Sequence, residues 1–187
     1  MAGKNVRVGF AVALALVILP TSLLATTVLR LGTQDLLEKS PTVILGEVLE
    51  QETRLFEDGD FPITLTTVAV EESFKGAPRP VIEIFTLGGR VDDLIGEVSG
   101  ENQFQPGERV FLFLTPKEGW ENTYTVYGMF QGKWNVMDDA SGVTYLQNDH
   151  AEQILQQPAS ELVPLDDQGR MNFENFIQTV RQELDLN

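Results

Sequence analysis

Segments rich in β-branched and aromatic residues recur about every ten residues along this chain, with Gly, Pro, Asn or Asp between them. That spacing leaves little room for crossover helices, so it directs the chain to a sandwich or a small barrel. Val43 to Leu49, running on toward Arg54, reads as a first strand. Glu57-Asp58-Gly59-Asp60 reads as a turn and Ile63 to Phe74 as its hairpin partner. Lys75 to Pro80 is a loop, and Val81 to Leu87 is a third strand ended by Gly88-Gly89. Residues 90–105 are less regular, with a short strand expected around Ile95 and Val98. Arg109 to Thr115 is apolar on both faces, the pattern of a strand covered on both sides. Tyr124 to Met129, Lys133 to Met137 and Val143 to Leu146 complete the strand series.

Helical signals sit at the two ends of this series. Thr33 to Lys39 has a capping residue, an early acid and a late base before Pro41. Asn148-Asp149 is placed to cap a brief helix through Leu155. Phe173, Phe176, Ile177, Val180 and Leu184 recur at helical spacing and predict an amphipathic C-terminal helix docked on the strands. The expected fold is therefore mainly β: an OB-like antiparallel barrel of five to six strands with a short N-terminal helix and an amphipathic C-terminal one. An immunoglobulin-like sandwich is the alternative.

The first residues read differently. Lys4 and Arg7 precede an apolar run from Val8 to Leu19, followed by Pro20-Thr21-Ser22 and the small residue Ala25. A basic head, an apolar centre and a small residue form the pattern of a secretory leader, removed on export. The alternative, a retained anchor, is disfavoured because Pro20-Thr21-Ser22 breaks a stretch already short of the ~20 apolar residues a span requires. The expected organisation is a signal peptide over 1–25, a barrel over 26–146 and a C-terminal extension over 147–187. The expected location is secreted or periplasmic in a bacterium, with no stable membrane anchor once the leader is removed.

Charge and rare residues then exclude several functions. The chain has 13 basic and 28 acidic residues; losing Lys4 and Arg7 leaves 11 bases against the same 28 acids, a net −17. A surface this acidic disfavours nucleic acid, whose phosphates need a positive face, and anionic membranes for the same reason. Cysteine is absent, which removes disulfides, thiolate metal sites and a cysteine nucleophile. With His150 the only histidine, a His/His zinc motif within one chain is excluded. No cofactor and no metal is expected.

A group of segments resembles a known family. Val43-Ile44-Leu45-Gly46-Glu47-Val48, Phe74-Lys75-Gly76, Leu87-Gly88-Gly89, Phe104 to Leu114 and Gly128-Met129-Phe130-Gln131-Gly132-Lys133-Trp134 follow one another in order. They resemble a family of exported, largely uncharacterised bacterial domains whose fold is similar to the OB-like barrel of tissue inhibitors of metalloproteinases and netrin modules. The resemblance spans about residues 28–137 and implies the barrel. It does not carry over the inhibitors' mechanism, which uses an N-terminal cysteine to chelate the protease zinc; this chain would begin at Thr26 or Thr27.

Candidate chemistry is sparse. Ser99 lies between glycines but not in the spacing of a nucleophile elbow, and His150 would be its one possible base. The acid pairs Glu71-Glu72, Asp92-Asp93, Asp138-Asp139 and Asp166-Asp167 are sequence neighbours, better read as a solvated face than as acids held across a cleft. Asp166-Asp167-Gln168-Gly169 fails as a calcium loop, because Pro164 and Asn175 fall where ligands are needed. Gly88 and Gly89 are candidate binding residues, as backbone open to a ligand, although a tight turn alone would explain them. Among Trp120, Tyr124, Tyr127, Phe130 and Trp134, core packing is favoured for Phe130 and Trp134. Trp120, in a loop, is the best candidate for an exposed ring, and Tyr127 is the other aromatic binding candidate. The resulting expectation is a non-enzymatic exported binding or accessory domain, with an envelope or extracellular protein or a glycan as partner. The alternatives are a modulator or inhibitor of a secreted protease and, less favoured, a carboxylate-based hydrolase.

Overall fold

The computed structural model describes residues 29–56, 59, 61–156 and 159–186. The leader over 1–25, its cut before Thr26 or Thr27, and most of the turn at 57–60 lie outside the described residues. In chain order the elements are α1 (Thr33–Lys39), β1 (Thr42–Leu55), β2 (Pro62–Lys75), β3 (Val81–Leu87), β4 (Gly89–Val91) and β5 (Leu94–Gly96). They continue with β6 (Arg109–Pro116), β7 (Thr123–Val126), β8 (Lys133–Asp138), β9 (Thr144–Gln147), α2 (Ala151–Leu155), β10 (Arg170–Asn172) and α3 (Phe173–Glu183).

Strands β1-β2-β3-β7-β6 are hydrogen-bonded in that order, and β6 returns to pair with β1, closing a five-stranded barrel. The mainly β barrel with a helix near each end is as the sequence predicts. One departure concerns direction: β3 and β7 pair in parallel, Glu83 opposite Thr123, so the barrel is mixed rather than wholly antiparallel. Closure needs strong curvature in β1, and its register shifts three times between Val43 and Glu50. Gly46 sits within that stretch. A β-carbon there would lie 2.5 Å from the carbonyl oxygen of Ala69, so only glycine lets β2 come this close.

Two apolar layers explain why β6 is hydrophobic on both faces. Inside the barrel, Val110, Leu112 and Leu114 meet Ile44, Val48, Val68, Ile82, Ile84 and the ring of Phe104. Outside it, Phe111 and Phe113 join Val43 and Leu45 under α1, β8, β9 and α3, in a second core that includes Trp134, Leu146, Met171, Phe176, Ile177 and Val180. Burying Phe130 and Trp134 is thus the packing role expected of them; the Trp134 indole N–H donates to the carbonyl of Gln131 at 3.0 Å.

Local signals differ from expectation at several places. The N-cap of α1 is Gly32, not Thr33; the Thr33 hydroxyl instead donates to Glu161 and accepts from the Leu162 amide. The strand expected through Met129 stops at Val126, because Gly128 and Met129 both take positive φ and start a 3-10 turn. β10, absent from the sequence reading, pairs with β9 and leads directly into α3, whose N-cap Asn172 accepts from the Asn175 amide. Among the described residues no helix is long and apolar enough to cross a membrane.

Candidate functional site

The inward face of the barrel changes character along its length. From Val68 toward the start of β2, the inward positions become Thr66 and Thr64, while Ile63 and Leu65 point outward. β1 and β3 follow with Gln51, Thr53 and Thr86. These side chains form a connected set. The Gln51 amide donates to the Thr66 hydroxyl at 3.0 Å, and the Thr64 hydroxyl donates to the carbonyl of Gly88 at 2.9 Å. Because a hydroxyl has one proton, the 3.0 Å contact between Thr53 and Thr64 must be donated by Thr53. Both hydroxyls are left with lone pairs rather than protons.

This polar end opens into a cleft of about 1090 Å³, roofed by residues 97–105. The roof is fixed at both ends. The Glu101 carboxylate accepts from the backbone amides of Leu87 and Asn102, clipping the segment to the end of β3. Phe104 inserts into the barrel interior. The side-chain nitrogen Nδ2 of Asn102, a residue 7% exposed, has no hydrogen-bond partner among the described residues, and Asn102 lies in the cleft wall. At the far end stand Glu108, Asp149 and His150. Behind them Lys133, 2% exposed, places its ammonium 2.8 Å from Asp149 and 3.4 Å from Glu108. A neighbouring cavity of about 720 Å³ shares Asp149 and His150.

Gly88 and Gly89 lie in this cleft and also satisfy the turn explanation. Their φ angles are 102° and 123°, values that L side chains rarely adopt. A β-carbon on Gly89 would approach Thr53 and Thr64 to 2.5 and 2.6 Å. Gly89→Ala should therefore lower stability by about 1–3 kcal/mol through strain and contact, readable as a lower urea midpoint with unchanged slope.

The two aromatic candidates are elsewhere. Trp120 is half-buried, not a free ring. It stacks on Phe56 at 6.3 Å, meets Phe85 edge-on at 5.5 Å, and has the Arg54 and Lys117 cations within 5.6 Å of its ring centre. It thus covers Ile63 and Leu65 from outside. Tyr127 is half-buried against the second core. His150 occupies the N-cap position of α2 and packs on Phe130 at 4.7 Å. The sequence reading missed Gln51, Thr53, Thr64, Thr86 and Asn102 as site residues. The run of threonines on β1 and β2 was the available signal.

The acid pairs do not converge on the cleft. Asp139 caps the turn before β9, accepting from the Ser141 hydroxyl and from the amides of Ser141 and Val143. The Ser141 hydroxyl and the Val143 amide lower its pKa to about 2. Asp166 is also lowered, against the opposing effect of burial, by the backbone amide and side chain of Arg170. Both folded-state values lie below the unfolded ones, so each acid stabilises the protein above the unfolded pKa and loses that contribution on acidification. Asp139→Asn should flatten the fall in melting temperature between about pH 4 and pH 2. An equally steep fall in the variant would show that Asp139 does not contribute.

No protein-family model matches this chain, and no curated protein matches it. Fold and site together define a closed five-stranded mixed barrel with an elaborated C-terminal face and a polar cleft at one end of the lumen.

Proposed function

We propose that this chain is an exported, non-enzymatic binding domain and that the cleft at the threonine-lined end of its barrel holds part of an envelope or extracellular partner. The observation that carries this reading is the inversion at that end of the barrel. There hydroxyls and amides face the lumen, and apolar side chains are pushed outward under a tryptophan. A barrel built only for stability would fill its lumen with apolar side chains, since inward polar groups add no hydrophobic burial. Small-molecule and peptide sites favour such concave mouths with a few convergent polar groups. The buried, unpaired side-chain nitrogen of Asn102 in the cleft wall supports a bound acceptor at that point. Export is supported by the leader pattern over residues 1–25, and the barrel is the architecture implied by the resemblance to inhibitor and netrin domains.

The test is amide chemical-shift mapping on the isotope-labelled chain, with pools of short synthetic peptides and a set of soluble oligosaccharides as probes. The expected result is that at least one probe moves the amides of Gly88, Gly89 and Ser99 to Asn102. If no probe moves them, or every shift falls on α3 and β10, the cleft is not the binding surface.

A further inference from the structure

From the chemistry of that cleft, and resting on its reading as the binding surface, we propose that its occupant is an extended peptide segment carrying a lysine or arginine side chain. Four acids line the cleft, Glu97, Glu101, Glu108 and Asp149, against one arginine. That arginine, Arg90, turns its Nε toward the carbonyl of Asp92 in its own hairpin. Lys133 offsets part of the acidic charge at one end, but Glu97 at the other is exposed and in no ion pair among the described residues. An anionic ligand would enter against this field. The threonines lining the cleft, Thr53, Thr64 and Thr86, are biased the same way, because their protons are spent on neighbouring oxygens and their lone pairs remain. An ammonium or guanidinium group is all donor and matches both features.

A simple amine would leave the Asn102 side-chain Nδ2 unanswered. A peptide supplies the missing acceptor as a backbone carbonyl, while its basic side chain reaches the acids. A sugar is the poorer fit. Carbohydrate platforms use exposed ring faces, and the rings that line this cleft, Phe104 and Phe130, are buried in the two cores.

The test titrates the full chain, by amide shifts and calorimetry, with a serine–glycine peptide bearing one central lysine. Three comparison probes are the same peptide with glutamate there, the same peptide with acetyl-lysine there, and chitotetraose. The lysine peptide should move Gly88, Gly89 and Glu97 to Asn102, and the other three should not. Glu97→Lys should weaken the lysine peptide about fivefold, since an attraction is replaced by a repulsion at a solvated site. Its melting temperature should stay unchanged, because Glu97 is exposed. Equal affinity for the glutamate or acetyl-lysine peptide, or no effect of Glu97→Lys, overturns the assignment of a basic ligand. Chitotetraose shifting the same amides overturns the peptide class while leaving the cleft as a binding surface. No shift with any probe overturns both.

Discussion

Truncating Phe176 to alanine should destabilise the whole chain by about 3–5 kcal/mol, the usual cost of removing a fully buried phenylalanine. Phe176 is completely buried and meets the Phe111 ring edge-to-face at 5.0 Å and 88°. Phe111 in turn touches Phe74 at 5.3 Å and Phe113 at 5.3 Å. Removing the ring from α3 therefore opens a void against the outer wall of β6, the strand that closes the barrel. Arg181 further ties α3 to Glu72 of β2, although an exposed pair of this kind adds only about 0.2–1 kcal/mol. A domain this size is stable by about 5–15 kcal/mol, so the loss is a large fraction of the total. Urea unfolding followed by tryptophan fluorescence and by far-ultraviolet circular dichroism should give one coincident, shifted transition. Two separated transitions, with the second at the wild-type midpoint, would show that α3 is a dispensable appendage.

The role of α3 was legible because it comes from periodicity. Phe173, Phe176, Ile177, Val180 and Leu184 make a stripe that only a helix can present on one side. The doubly apolar β6 was legible for a similar reason: Val110 to Leu114 has no polar face to give to water. The parallel pairing of β3 with β7 had no such local signature. It involves two residue pairs and follows from closing the barrel, not from the sequence of either strand. β10 was hidden because three residues are too few to show alternation; the Asp166–Arg170 turn positions it. At the cleft, Ile63 to Thr66 were legible as strand but not for which face turns inward; an ordinary half-buried strand would turn the apolar one in. The reversal depends on Phe56, Phe85 and Trp120 covering the outer face, two of them distant in sequence. Gly88 and Gly89 were visible from sequence because a tight backbone leaves a residue-type mark. Asn102 left none, since a buried amide differs from a surface one only by its surroundings.

Removing both carboxylates that face Lys133 should cost more than removing the lysine itself. The Lys133 side chain is 2% exposed, while those of Asp149 and Glu108 are 49% and 27% exposed. In Lys133→Met, the stem is replaced by an apolar chain of similar shape and both acids turn to water, so the cost should stay within about 1 kcal/mol. In Glu108→Ala/Asp149→Ala, a buried ammonium keeps, among the described residues, only the face of Phe104, 5.2 Å from its ring centre. An uncompensated buried charge costs about 3–5 kcal/mol, and the loss here should fall near the lower end because solvent reaches the vacated rim. Urea midpoints at neutral pH decide the order, and a lysine variant as unstable as the double acid variant would refute it. The same substitution bears on binding. Lys133→Met leaves Glu108 and Asp149 unneutralised at the mouth of the cleft, so the lysine-bearing peptide should bind it more tightly than it binds the wild type. A weaker complex would mean that Lys133 is needed to hold those acids in place, and that the geometry of the pair outweighs its charge.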